Sequence, residues 1–266
     1  MYTLNKRIYV RIAPIIDFVL RFFNRNIYTN LYNRKFYYDT STDIGQKIIR
    51  VGNFERAELE LIRKIVKPNS IIFDIGANIG THTVPMALQA SNTGKIFSFE
   101  PSRKTYQFLL KNISGLNNVY PVPMALSDKN GTSTFYNTSD NAYSGLKITG
   151  KKPIVATENV ITITIDDFVK IQEITRLDFI KIDVEGHEKE VIYGAINTIK
   201  NFRPIILVEI CKNPKINFNP EDLIKKIAEL DYNIFKISGW KVVPFVAVND
   251  TDYNYLFVPK GLDFKI

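Results

Sequence analysis

The stretch Phe73-Asp-Ile-Gly-Ala-Asn-Ile-Gly80 constrains the fold of this chain more than any other. The apolar run Ser70-Ile-Ile-Phe-Asp-Ile75 reads as a buried strand, and it enters a turn with glycines at 76 and 80. Glycine there lets the backbone approach a ligand without a Cβ in the way. Gly80 to Ala90 reads as a helix, with Pro85 tolerated only near its start. The free N–H groups of such a helix start suit a polar ligand. The alternation continues with a strand over Lys95–Phe99, a helix capped by Ser102 through Ile113, and a strand over Val119–Ala125. After a break it resumes: strand Leu177–Asp183, helix Glu188–Asn201, strand Pro204–Ile210, helix Pro220–Leu230, and strands near 233–238 and 255–259. Strands alternating with helices predict an α/β, Rossmann-like fold with a mostly parallel sheet of about seven strands.

Between Gly131 and Ile165 the texture changes. Thr132-Ser-Thr-Phe-Tyr136 and Val160-Ile-Thr-Ile-Thr-Ile165 alternate with period two, which predicts a small antiparallel β insertion in the sheet or along its edge. Upstream, a helix near Glu55–Val66 turns Leu59, Ile62 and Ile65 inward, and Pro68-Asn69 ends it.

Charge is unevenly placed. Residues 1–35 carry Lys6, Arg7, Arg11, Arg21, Arg25, Arg34 and Lys35 against the single acid Asp17, so +6 of the net +8 lies there. The near-neutral remainder argues against a nucleic-acid partner. Ile12, Ile15, Ile16, Val19, Leu20 and Phe23 share one helical face, and Arg11, Asp17 and Arg21 interrupt the run, making it too short and too charged to span a bilayer. No small-residue cleavage site follows it, which argues against a signal peptide. Residues 1–50 are therefore expected to form a basic amphipathic arm ahead of a domain over 51–266. The arm either packs on the domain or a second subunit, or rests peripherally on an anionic membrane through residues 1–35. One cysteine, Cys211, fits a reducing cytoplasmic setting, and the arm offers a peripheral place at the inner membrane face as the alternative.

Phe99-Glu100-Pro101 ends the second strand, 26 positions after Asp74. An acid at that point is placed to accept hydrogen bonds from both hydroxyls of a ribose. A diphosphate cofactor prefers Gly-x-Gly-x-x-Gly, whereas here the order is Gly-x-x-x-Gly, with Asp74 before it and Asn78 in place of a second glycine. An acid beside the turn repels a diphosphate and suits the ammonium of a methionine moiety, which favours S-adenosylmethionine over a nicotinamide cofactor.

Four motifs occur in order: Asp74-Ile-Gly-Ala-Asn-Ile-Gly80, Phe99-Glu100-Pro101, Ala125-Leu-Ser-Asp128 followed by Gly131, and Ile182-Asp-Val-Glu-Gly-His-Glu188. Together they resemble the FkbM family of methyltransferases over about residues 55–210. The resemblance implies a class I methyltransferase fold, whose last strand is antiparallel, with S-adenosylmethionine as donor. It implies that Asp74, Gly76, Ala77, Asn78 and Gly80 lie along the methionine portion, Glu100 on the ribose and Asp128 near the adenine. It associates the chain with O-methylation of sugars, glycans and secondary metabolites.

The fourth motif leaves a strand at the carboxyl edge, where such sheets carry their sites. Asp183, Glu185 and His187 are the expected catalytic residues, with His187 as general base and Asp183 or Glu185 orienting it or the acceptor hydroxyl. A helix-capping role for His187 is the competing reading. Glu209, at the next strand end, could join Asp183 and Glu185 around a divalent metal with oxygen coordination, though no metal is assigned. Lys181, inside a buried strand, is expected to pair with a nearby acid, and His82 receives no role. Tyr136, Tyr143 and Trp240 could stack on a sugar ring. Rival readings are an RNA methyltransferase, a non-catalytic S-adenosylmethionine-binding or membrane-docking protein, and a nicotinamide-dependent dehydrogenase. A homo-oligomer remains open.

Overall fold

The computed structural model describes residues 26–52, 55–210, 213, 215–216, 218–239, 241–248 and 253–264. The helix expected within residues 8–23, Cys211 and Trp240 lie outside the described residues.

The described chain opens with a hairpin, β1 (Asn26–Leu31) and β2 (Arg34–Asp39), followed by α1 (Asp43–Val51) and α2 (Arg56–Ile65). Thr42 starts α1 by accepting the Gly45 N–H on its side chain, and Gly52 in the left-handed region ends it. The alternating core follows: β3 (Ile71–Ile75), α3 (Thr83–Ala90), β4 (Lys95–Phe99), α4 (Arg103–Ile113) and β5 (Val119–Val122). Pro85 sits in the first turn of α3, where its missing N–H costs no helical bond.

The inserted region contains β6 (Ala125–Leu126), β7 (Gly131–Thr138), a short 3₁₀ turn (Asn141–Tyr143) and β8 (Ile154–Ile163). The core then resumes with α5 (Ile165–Ile171), β9 (Phe179–Ile182), α6 (Glu188–Tyr193), α7 (Ile196–Phe202) and β10 (Ile205–Glu209). It closes with α8 (Pro220–Ala228), β11 (Tyr232–Ser238), β12 (Lys241–Pro244) and β13 (Asn254–Pro259).

The main sheet has the order β12-β11-β13-β10-β9-β3-β4-β5. Strands β5, β4, β3, β9 and β10 run parallel, and β13 inserts antiparallel between β10 and β11. These are the expected seven strands with the last one antiparallel; β12 adds an eighth at the edge. The order reverses between β3 and β9, and the carboxyl ends of these two strands face one crevice.

Both faces of the sheet are covered. Ile72, Leu109, Ile113, Ile62 and Phe179 pack on one side, and Phe73, Ile75, Ile180, Val191 and Ile206 on the other. The central strands are buried on both faces, which is why they read as continuous apolar runs rather than alternating ones. The part of the expected 1–50 arm that is described joins the first of these cores: Phe36 is fully buried and Tyr38 nearly so. Asn112 of α4 locks it there, accepting the Tyr37 N–H at 2.6 Å and donating to the Tyr37 carbonyl at 2.9 Å.

Three expected boundaries differ. The strand expected over Val119–Ala125 stops at Val122; Pro123 has no N–H to continue a ladder, and Ala125–Leu126 pairs with β8 instead. The insertion is a separate three-stranded sheet, β6-β8-β7. The helix expected over Glu188–Asn201 is broken at Gly194, where a Cβ would meet the Ser127 carbonyl oxygen at 2.0 Å. Asp166 then restarts the helix by accepting the Asn197 and Thr198 N–H groups.

Candidate active site

A cleft with about 1170 Å³ of empty space opens at the carboxyl ends of β3, β4, β9 and β10. Its first wall is the turn after β3. The Gly76 and Ala77 N–H groups both donate to the Phe99 carbonyl at 3.0 Å, which fixes the turn against β4. Gly76 has φ +78°, and a Cβ there would lie 1.8 Å from the Asp183 carbonyl oxygen. Asn78 also has positive φ, and its N–H donates at 3.0 Å to Oε2 of Glu100. The other oxygen of Glu100 accepts the Ser102 N–H at 2.9 Å. Two backbone donors therefore aim a buried carboxylate from the strand end into the cleft, beside Gly76, Ala77 and Asn78. Burial pushes the Glu100 carboxyl up to about 8, although the two N–H donors pull it back.

Ser102 does not cap α4 with its side chain; its hydroxyl donates to Asn137 of β7 at 2.9 Å. Beyond Glu100 the lining turns apolar, with Phe99, Leu126 and Phe135.

The roof is the segment from Asn141 to Leu146. Asn141 donates to Asn78 Oδ1 at 2.7 Å, and the Tyr143 hydroxyl donates to Asp43 Oδ2 at 2.6 Å. The Asp43 N–H in turn donates to Asp140 at 2.8 Å, so the first turn of α1 grips the roof from outside.

Three residues expected at the cofactor, Asp74, Asp128 and Gly80, are not among those lining the cleft. Asp74 is fully buried behind the turn and accepts the Thr83 hydroxyl at 2.5 Å, bracing the start of α3. Its register partner Lys181 on β9 lines the cleft, so the two side chains share a face of the sheet, and Asp74 lies below the surface that Ile75 and Lys181 present. Asp128 is exposed beside Ser127, with Met124, Ala125 and Leu126 lining the cleft in its place. Gly80 does not itself line the cleft, although Asn78 and Thr81 on either side do; its φ of +91° and a Leu109 methyl 3.0 Å from its Cβ position show a packing need.

Asp183, Glu185 and His187 all line the cleft. Lys181 pairs with Asp183 at 3.0 Å, as expected of a buried lysine, and the surrounding acids raise its pKa against the cost of burial. Glu185, held at φ +54°, pairs with Lys151 at 2.8 Å; burial and the neighbouring Asp183 push its carboxyl up to about 7. The His187 ring is differently occupied. Its Nε2 lies 2.9 Å from the Ser127 hydroxyl and its Nδ1 3.4 Å from Glu190, so it ties the loop after β6 to α6. Burial holds its pKa below the usual histidine value. It does not cap α6 with its side chain. Glu188 instead folds back to accept the Gly186 N–H at 2.9 Å, and burial raises it to about 8.

The floor adds residues that the sequence did not single out. Glu55 and His82 line it with Glu209, and Glu58 lies just behind. Glu55 and Glu58 approach from the start of α2 and His82 from the start of α3, a meeting that chain order does not reveal.

The sheet order, the glycine turn and the strand-end acid define a class I, S-adenosylmethionine-dependent methyltransferase domain. Residues 74–234 match the family described as the methyltransferase FkbM domain. The chain belongs to that family. It is 30% identical over 178 residues to the hexuronic acid methyltransferase AglP of Haloferax volcanii, covering 65% of this chain and 69% of that one. It is 25% identical over 164 residues to the 2-O-methyltransferase NoeI of Sinorhizobium fredii, covering 54% of this chain and 65% of that one. Among solved structures it is similar to the methyltransferase FkbM of Methylobacillus flagellatus KT, with 15% identity and a TM-score of 0.47, over 80% of this chain and 52% of that chain.

Proposed function

We propose that the protein transfers a methyl group from S-adenosylmethionine to a hydroxyl of a sugar-type acceptor, with hexuronic acids the first class to try. The observation that carries the cofactor half is Glu100. Its two oxygens are aimed by backbone N–H groups and keep lone pairs for a ribose diol, beside a turn too tight for any side chain at residue 76. The acceptor half rests on the likeness to AglP and NoeI, whose names describe a hexuronic acid methyltransferase and a 2-O-methyltransferase.

When bound, the cofactor supplies an electrophilic methyl carbon. Gly76, Ala77 and Asn78 would hold its amino-acid end, Glu100 its ribose, and Phe99, Leu126 and Phe135 would cover its base. Asp183 and Glu185 would receive the acceptor hydroxyl. Glu185 is the better proton acceptor: at about 7 its pKa is matched to neutral pH, and its partner Lys151 can balance the charge change. His187, occupied by Ser127, acts as a positioning residue for the loop over the apolar end. Much of the rate then comes from holding the hydroxyl in line with the methyl group.

Calorimetry with S-adenosylmethionine, S-adenosylhomocysteine and NAD, on the protein and on Glu100→Ala, tests the cofactor. Binding of the two sulfur ligands alone, weakened at least about ten-fold in the variant, is expected. Tritium transfer from labelled S-adenosylmethionine to hexuronate oligosaccharides tests the acceptor. Transfer to tRNA instead would replace this reading with the RNA one.

A further inference from the structure

The floor of the cleft carries a set of donors that methyl transfer does not call on. Glu55 and Glu58 stand three residues apart at the start of α2, so their carboxylates lie on one side of the helix. His82 enters from the start of α3. Its Nε2 lies 3.5 Å from Glu55 Oε2 and 3.4 Å from Glu58 Oε2, and one donor atom from each residue falls within 4.8 Å of the others.

From this geometry we infer that Glu55, Glu58 and His82 form a binding site for one divalent transition-metal ion, of the Zn²⁺ or Mn²⁺ class. Metal–ligand distances of about 2.0–2.2 Å place tetrahedral neighbours about 3.4 Å apart, the spacing seen on both imidazole–carboxylate edges. One imidazole with two carboxylates suits Zn²⁺ or Mn²⁺ better than the all-oxygen preference of Mg²⁺. A second, independent feature is the support behind the site. Asn254, from β13, donates at 2.7 Å to Oε1 of Glu58, leaving Oε2 turned toward His82. Holding a ligating carboxylate by its other oxygen is how metal sites fix their ligands.

Two of the three ligands line the cleft floor, so the open coordination positions would face the acceptor end. The site is distinct from the strand-end set Asp183, Glu185 and Glu209 considered from sequence. It also stands apart from methyl transfer. Metal binding without S-adenosylmethionine binding would sink the function proposed above and leave this inference intact.

The test uses the whole protein, free of affinity tags and dialysed against chelator. Zn²⁺, Mn²⁺ and Mg²⁺ are each titrated by calorimetry, with metal per chain checked by elemental analysis. One Zn²⁺ or Mn²⁺ per chain is expected, with Mg²⁺ at least about ten-fold weaker. Glu58→Gln and His82→Gln should each lower affinity at least about ten-fold, and Asn254→Ala by a similar factor. Should a variant fail to fold, Co²⁺ bound to the unmodified protein gives a visible spectrum that reports an imidazole in low coordination. No binding to folded protein would overturn the inference. So would binding that survives Glu58→Gln and His82→Gln but is lost in Asp183→Asn or Glu209→Gln.

Discussion

A methyl group added at Gly76 would sit 1.8 Å from the carbonyl oxygen of Asp183, and the residue already has φ +78°. Neither problem can be relieved by a rotamer, because the obstacle is backbone. Gly76→Ala should therefore cost about 1–3 kcal/mol or more in stability and abolish cofactor binding. Thermal melts and calorimetry check this; a variant within about 0.5 kcal/mol of the parent that binds normally would show that the close approach is dispensable. Glycine at 76 was legible in the sequence because a positive φ and a backbone neighbour leave few residue choices, and the acid at 100 because it ends the strand that follows the glycine turn. Asp74 accepts the Thr83 hydroxyl and does not line the cleft, and an acid in that motif reads the same in sequence whether it meets a ligand or braces the loop. His82 was passed over because a lone histidine on a helix start carries no signal until Glu55 and Glu58 are brought beside it.

Among the elements, the roof segment is held by side chains from outside its own strands. The Tyr143 hydroxyl bond to Asp43 and the Asn141 bond to Asn78 join the insertion to α1 and to the glycine turn. Removing the first with Tyr143→Phe should cost about 1 kcal/mol, since a hydrogen bond to a partly exposed carboxylate is worth less than a buried one. The roof should loosen while the sheet stays intact. Faster amide exchange confined to residues 139–146, with a higher KM for acceptor and an unchanged cofactor affinity, is the expected pattern. Equal exchange throughout the chain would contradict it. The order of strands and helices was readable because apolar runs bounded by glycine, proline and capping residues mark it out. The roof was not, because its contacts pair residue 143 with 43 and 141 with 78. No periodicity spans such gaps. The separate β6-β8-β7 sheet was half seen: alternation showed two strands but could not say which sheet they join.

At the scale of the whole molecule, buried carboxyls give the fold a pH signature. Burial raises both Glu100 and Glu188 from 4.5 to about 8. Between these values the folded chain holds protons that the unfolded chain has lost, so stability falls as pH rises toward about 8. Below about 6.5 the buried histidines, held neutral in the fold, oppose this trend. The melting temperature of the ligand-free protein should therefore decline from pH 6.5 to 8.5, with a shallower slope in Glu188→Gln. A flat or rising profile over that window would refute the assignment. The same molecule also has an order in time. The β1–β2 hairpin is anchored by Asn112, which follows Tyr37 by 75 residues. At roughly 5–20 residues per second, a ribosome needs about 4 to 15 s to make that interval. Phe36 and Tyr38 are thus synthesised well before the surface that buries them, and the earliest described segment is among the last to settle.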